Sequence, residues 1–215
     1  MAGRQVYLEE LAKLRNDVIR MGSIVEAAMS EVIHALSTLE RAKAEKIMEG
    51  DDSIDEMEVQ IEEQCIHLIA SQQPVATDLR QITSVMRIIS DIERIADHCS
   101  DISEYIIRLE GERIPLPEHV EDMVDLVRDM LHSTVDAYVR EDADEAQRVI
   151  ASDDQVDDYF ESITQEIYIA MKHNPEKIPS YGEYLMIIKY LERMGDHCTN
   201  IAGWIRFIVT GQLEM

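Results

Sequence analysis

Aromatic residues make up only 5% of this chain, and it holds just eight glycines and five prolines. Such scarcity disfavours sheets. The abundant Leu, Ile, Met, Ala, Glu, Arg and Asp suit long helices instead. Cys65, Cys99 and Cys198 are odd in number and form no C-x-x-C pair, which argues against a disulfide framework or a zinc knuckle. They fit a reduced cytosolic setting. No uncharged stretch is long enough to span a bilayer, and residues 1–10 hold no apolar signal core. A cytoplasmic protein with no membrane insertion is expected. Positive charge is also short: 20 Lys and Arg stand against 44 Asp and Glu, a net charge of −24. That surface repels nucleic-acid phosphates and anionic lipid, and it favours cations or basic protein partners. Acidity that serves only solubility is equally compatible with the count.

What the chain does have is a motif stated twice. Ile92-Glu93-Arg94-Ile95-Ala96-Asp97-His98-Cys99-Ser100-Asp101-Ile102 returns as Leu191-Glu192-Arg193-Met194-Gly195-Asp196-His197-Cys198-Thr199-Asn200-Ile201. The segment from Ala44 to Asp55 likewise parallels that from Ala146 to Asp157, each bearing Asp-Asp-x-x-Asp. A repeat at this scale defines the building block. The two copies divide at Glu110-Gly111-Glu112-Arg113-Ile114-Pro115-Leu116-Pro117, which reads as a helix stop followed by a helix start. The first unit is expected over residues 1–110 and the second over 118–215.

Within each unit the periodicity is helical. Val85, Ile88, Ile92, Ile95, Cys99, Ile102, Ile106 and Leu109 step by three and four, as do Ile187, Leu191, Met194, Cys198, Ile201, Ile205 and Ile208. Helices are predicted over about 7–39, 41–73 and 76–109, then about 118–141, 143–173 and 181–210. Gly50 marks a kink or break, since glycine is costly inside a helix. Short loops between antiparallel neighbours give an all-α tandem repeat of two three-helix bundles.

The acids are patterned as well. Glu93 and Asp97 lie on one helix face a turn apart, and their row runs back into Met86, Ile89 and Ile82. These carboxylates therefore border apolar surface. Glu192 and Asp196 repeat the arrangement beside Ile188 and Leu185, while Asp51 with Asp55 and Asp153 with Asp157 form matching pairs on the middle helices. Asp101 extends the first row by a turn, and Asn200 replaces it in the second. Like charges at this spacing cost a helix roughly 0.2–0.5 kcal/mol per pair. Two carboxylates about 6 Å apart repel by roughly 3 kcal/mol at an effective dielectric of about 20. Arg94 and Arg193 offer one compensation and a bound multivalent cation another. The bland reading is a solvated acidic face with helical ion pairs. The donors are hard oxygens suited to iron(III), manganese, magnesium or calcium, with zinc a further candidate. His98 and His197 lie on another row, as donors to a carboxylate or as surface residues.

A carboxylate-bridged metalloenzyme is a weaker match. Di-iron bundles need Glu-x-x-His from two helices. Glu31-Val32-Ile33-His34 fits once, the equivalent place near Asp136 has no histidine, and Asp129-Met130-Leu131-His132 is displaced. There is no P-loop, no G-x-S-x-G and no Gly-rich phosphate cradle.

The doubled E-R-x-x-D-H-C with its preceding D-D-x-x-D resembles the PhoU family of bacterial phosphate-uptake regulators, over nearly the whole of residues 7–210. The resemblance implies paired three-helix bundles that bind multinuclear iron, or zinc, manganese or magnesium, on carboxylate clusters, commonly as homodimers and without catalytic activity. It implies a negative regulator of the phosphate-starvation response, relaying the state of a phosphate ABC transporter, through its ATPase, to a membrane histidine kinase. Matched by motif, the metal-holding positions are Asp51, Asp55, Glu93 and Asp97, then Asp153, Asp157, Glu192 and Asp196, with Asp101 and Asn200 added by the extended rows. Asn200 in place of Asp101, and Phe160 in place of Glu58, depart from strict repetition and predict a second site of weaker binding or different nuclearity.

Overall fold

The structure is a computed structural model that describes residues 2–109 and 117–212. The predicted linker residues Glu110 to Leu116 lie outside the described residues. The helices are α1 (Ala2–Thr38), α2 (Arg41–Gly50), α3 (Asp52–Gln72), α4 (Ala76–Arg108), α5 (Val120–Arg140), α6 (Ala143–His173) and α7 (Ile178–Thr210), with one short 3-10 turn at Pro175–Lys177. No strand occurs among the described residues. The all-α repeat is as expected, with α1, α2–α3 and α4 as one unit and α5, α6 and α7 as the other.

Helix α1 starts at Ala2, ahead of the expected residue 7, and three other boundaries differ from expectation for local reasons. The middle helix of the first unit is two helices, broken at Asp51. The amide of Asp51 reaches Met48 O at only 3.5 Å, and Ile54 N tightens onto Asp51 O at 2.8 Å. Gly50 supplies the weakness, and Ser152 at the equivalent place leaves α6 unbroken. The last helix starts earlier, at Ile178, because Pro179 sits in its first turn, where the missing N–H costs nothing. His119 adopts a left-handed conformation (φ 68°), which delays α5 to Val120. By contrast, α6 begins on a side-chain cap: Asp142 Oδ1 accepts from Asp144 N at 3.0 Å and Glu145 N at 2.9 Å.

The apolar stripes of α4 and α7 are wider than one seam requires, and the packing shows why. Helix α4 contacts α1, α2 and α3 of its own unit and α7 of the other; α7 contacts α5 and α6 and then α4. Each is buried on two sides. A second crossing joins α1 to α5, where a Cβ on Gly22 would stand 3.1 Å from Val135 Cγ2. The buried apolar side chains accordingly form one continuous core rather than two. Cys65, Cys99 and Cys198 are buried free thiols within it, the small packing residues their spacing suggested.

Leu131 is 1% exposed and sits where α1, α4, α5 and α7 converge. Leu131→Ala should lower stability by about 2–5 kcal/mol and move a single thermal transition. Two separate transitions, with only the second unit destabilised, would show that the halves fold independently.

Candidate metal centre

The acids gather where each middle helix crosses the last helix of its own unit. In the first unit Asp51 and Asp55 come from the start of α3, and Glu93 and Asp97 from the middle of α4. One oxygen each of Asp51, Asp55 and Asp97 lies within 4.8 Å of the others. Glu93 borders this trio, and its carboxyl is pushed up to about 7, first by burial and then by Asp97, with Arg94 opposing and Glu58 and Asp55 adding to the rise. Burial likewise raises Asp51, helped by Asp97, Asp55 and Asp52 and offset by the Ser100 hydroxyl. Asp51 Oδ1 is out of water and has no hydrogen-bond partner. An orphaned carboxylate oxygen at a low-dielectric edge is costly unless a cation or proton meets it.

Arg94 supplies part of the neutralisation, its Nη1 2.6 Å from Asp97 Oδ2 and its Nε 3.5 Å from Glu93 Oε2. The helix break contributes too, because it places the positive end of α3 beneath the acids of its first turn. Hard oxygens from two helices, one of them unsatisfied, fit an oxygen-loving cation. A cavity of about 430 Å³ between α1, α2 and α4 reaches this place, with Ile24, Ala28, Glu31 and Lys46 around it and Asp51 and Ser100 on its wall.

The second unit repeats the layout with α6 and α7. Burial raises Asp153, Glu192 and Asp196. Asp196 and Asp157 act on Asp153, Asp196 acts on Glu192, and Asp157 acts on Asp196. Thr199 stands to Asp153 as Ser100 does to Asp51. Gly195 lets the helices approach here: a Cβ on it would lie 3.3 Å from Val156 Cγ1 and 3.6 Å from Asp153 Oδ1.

Asp101 and Asn200, expected with the clusters, are placed elsewhere. Both belong to a polar seam between α4 and α7, around His98 and His197. His98 Nδ1 is 3.2 Å from Asp101 Oδ2, and His197 Nδ1 is 2.8 Å from Asp91 Oδ1. Asn200 Nδ2 donates to Asp91 Oδ1 at 3.5 Å. The two imidazoles face each other with centroids 5.5 Å apart, and burial holds His98 below its ordinary range. Their separate helical row is what turns them away from the acids. Of the lone Glu-x-x-His, Glu31 borders the cavity that reaches Asp51, while Lys43 Nζ lies 3.0 Å from His34 Nε2; His132 pairs with Glu26 at 2.8 Å.

Sequence reasoning did not assign Ser100 or Thr199 to the sites; a hydroxyl kept two residues after each repeat histidine was the available signal.

Fold and site together define an all-helical protein built from two copies of one acid-bearing three-helix unit. A sequence model of the PhoU domain matches residues 18–106 and 120–205, and the chain belongs to the PhoU family. It is 36% identical over 211 residues to the phosphate-specific transport system accessory protein PhoU homolog of Clostridium acetobutylicum, covering 97% of this chain and 96% of that one. Against the accessory protein PhoU of Escherichia coli K12 the identity is 34% over 204 residues, covering 94% and 85%. The crystal structure of PhoU from Pseudomonas aeruginosa superposes with a TM-score of 0.93 at 33% identity, covering 96% of this chain and all (100%) of that one. The Streptococcus pneumoniae regulatory protein PhoU gives 0.91 at 30%, covering 97% and 99%. Among the described residues no helix is long and apolar enough to cross a membrane.

The pKa of Glu93 sets a pH dependence. Folding raises it from the model-compound value of 4.5 to about 7, so the native chain binds the extra proton. Its contribution is present below about 4.5 and is lost as pH rises through about 7. Chelator-treated protein should therefore lose thermal stability over that interval, and Glu93→Gln should be the more stable form at pH 8. Equal melting temperatures of the two forms across the range would show that Glu93 is not desolvated.

Proposed function

We propose that this chain is a cytoplasmic accessory regulator of a phosphate-specific transport system, a negative regulator that holds cations on its two carboxylate clusters. The observation that carries the cation reading is the trio of Asp51, Asp55 and Asp97 with an unpartnered buried oxygen on Asp51. Family membership and the names of the relatives support the transport role.

Asp51, Asp55, Glu93 and Asp97 would hold the ion or cluster in the first unit, and Asp153, Asp157, Glu192 and Asp196 in the second. The bound metal, iron by family resemblance with zinc, manganese and magnesium as alternatives, supplies positive charge that cancels the repulsion among these acids. The chain's own residues do the rest. Acids on α3 and α4, or α6 and α7, tie two helices of a unit together. Arg94 and Arg193 limit excess charge, and the buried hydroxyls of Ser100 and Thr199 lie beside Asp51 and Asp153. No catalytic step is part of this reading.

Partners follow from charge and surface. A chain of net charge −24 repels free phosphate, so sensing through other proteins is favoured over direct binding. Exposed Ile66 on α3 and Tyr168 on α6 stand at matching places in the repeat and, with exposed Ile169 beside the latter, offer apolar docking points. The proposed partners are the transporter ATPase and a phosphate-sensing histidine kinase, with the protein acting as a homodimer. A helical adaptor that needs no metal is the rival reading, favoured by the Arg94 pairs with Asp97 and Glu93.

Elemental analysis of protein purified without chelator, followed by thermal melts with added iron, manganese or zinc, separates the two readings. A native-state ligand must raise the melting temperature. Glu93→Gln combined with Asp97→Asn should abolish uptake in the first unit while helicity is kept. No metal and no gain in melting temperature would leave the metal-free adaptor. Capture of the transporter ATPase and the kinase at low and high phosphate tests the relay, and equal or absent capture under both conditions would count against it.

A further inference from the structure

We propose that His98 and His197 form a further metal site, with one nitrogen ligand from each unit, for a divalent ion of the zinc, nickel and copper class. Its donors are imidazoles rather than carboxylates, so it stands whether or not the acidic clusters hold ions.

The two histidines occupy the same motif position in the two units, and the packing of α4 on α7 brings them face to face. Their ring centroids are 5.5 Å apart, and the ring planes are tilted by 40° rather than parallel. Two imidazoles that share one tetrahedral ion, each nitrogen about 2.0–2.1 Å from it, place their ring centres roughly 5 Å apart. A small side-chain adjustment closes the difference.

Each ring is already held as a ligand is held. His98 Nδ1 meets Asp101 Oδ2 at 3.2 Å, and His197 Nδ1 meets Asp91 Oδ1 at 2.8 Å. A carboxylate only accepts, so each neutral ring keeps its proton on Nδ1 and leaves the lone pair on Nε2. Among the described residues neither Nε2 has a hydrogen-bond partner. A histidine whose other nitrogen donates to a carboxylate is the common form of a metal-bound histidine. The Tyr190 ring, 5.2 Å from that of His98, flanks the pair. The two side chains keep 13% and 19% of their exposure, enough for an ion to enter and too little for full hydration. Asp91 and Asp101 supply two negative charges against a divalent ion, and water completes its coordination. Imidazole suits zinc, copper and nickel, whereas carboxylates suit harder ions, so seam and clusters select different metals. An ion here ties α4 of the first unit to α7 of the second; the acidic clusters join helices within one unit.

The test uses the full chain, stripped by chelator and given a substoichiometric amount of Cu2+, read by electron spin echo envelope modulation. Modulation from remote ring nitrogens, with the combination lines of two imidazoles, is expected; carboxylate ligands give no such signal. His98→Gln and His197→Gln should each abolish the two-imidazole pattern. Asp91→Asn and Asp101→Asn keep both rings and should weaken Cu2+ binding by roughly 10–100-fold. Glu93→Gln with Asp97→Asn should leave the pattern unchanged. Far-ultraviolet circular dichroism checks that each variant folds. Wild-type protein without ring-nitrogen modulation overturns the proposal, as does an unchanged two-imidazole pattern in either glutamine variant. Should those variants fail to fold, unchanged affinity in both asparagine variants overturns it instead.

Discussion

Everything in this molecule turns on carboxylates forced together at the margin of an apolar seam. Water would hydrate such groups and screen them, but the helices hold them where one side is hydrocarbon. The packing that fixes α3 against α4, and α6 against α7, is far larger in total than the repulsion it must contain. The acids therefore stay close, and their protonation shifts instead: burial comes first among the causes that raise Asp51, Glu93, Asp153, Glu192 and Asp196. A charge cluster held by a rigid frame is ready for a positive partner without needing to reorganise.

The frame and the sites share the same helices. Helices α4 and α7 are the two elements buried on both sides, and each carries the Glu and Asp of one cluster. The polar seam of His98, Asp101, His197 and Asp91 lies on the face where these helices meet, one residue along from Asp97 and Asp196. Each acidic set is thereby close in the chain to the contact that joins the two units, and no flexible loop intervenes.

The fold was legible because its signals were long. Steps of three and four over whole helices, and a motif repeated with its spacing intact, left little room for another architecture. The pairs at i and i+4 were legible too, since helical geometry alone brings such residues to one face. Legibility failed where a partner came from a different helix. Asp101 and Asn200 continue the acid rows in sequence, yet Asp101 pairs with His98 on its own helix while Asn200 reaches Asp91 of α4, a contact that no spacing reveals. Ser100 and Thr199 approach the clusters only through the packing of one helix on another. The break at Asp51 was half visible: Gly50 announced weakness, but whether it bent or parted the helix depended on the hydrogen bonds at Met48 and Ile54.

The double burial of α4 has a historical consequence. A lone three-helix unit, cut from its twin, would present to water the wide face that α7 now covers, with side chains such as Ile88 and Ile92 bare along it. Such a unit would be stable only against a second copy of itself. The ancestor of this gene, before duplication, would then have been a two-chain particle, and joining the chains made a bimolecular encounter intramolecular. Once tethered, the copies no longer had to be the same, and substitutions such as Phe160 for Glu58 and Asn200 for Asp101 became open to one half alone.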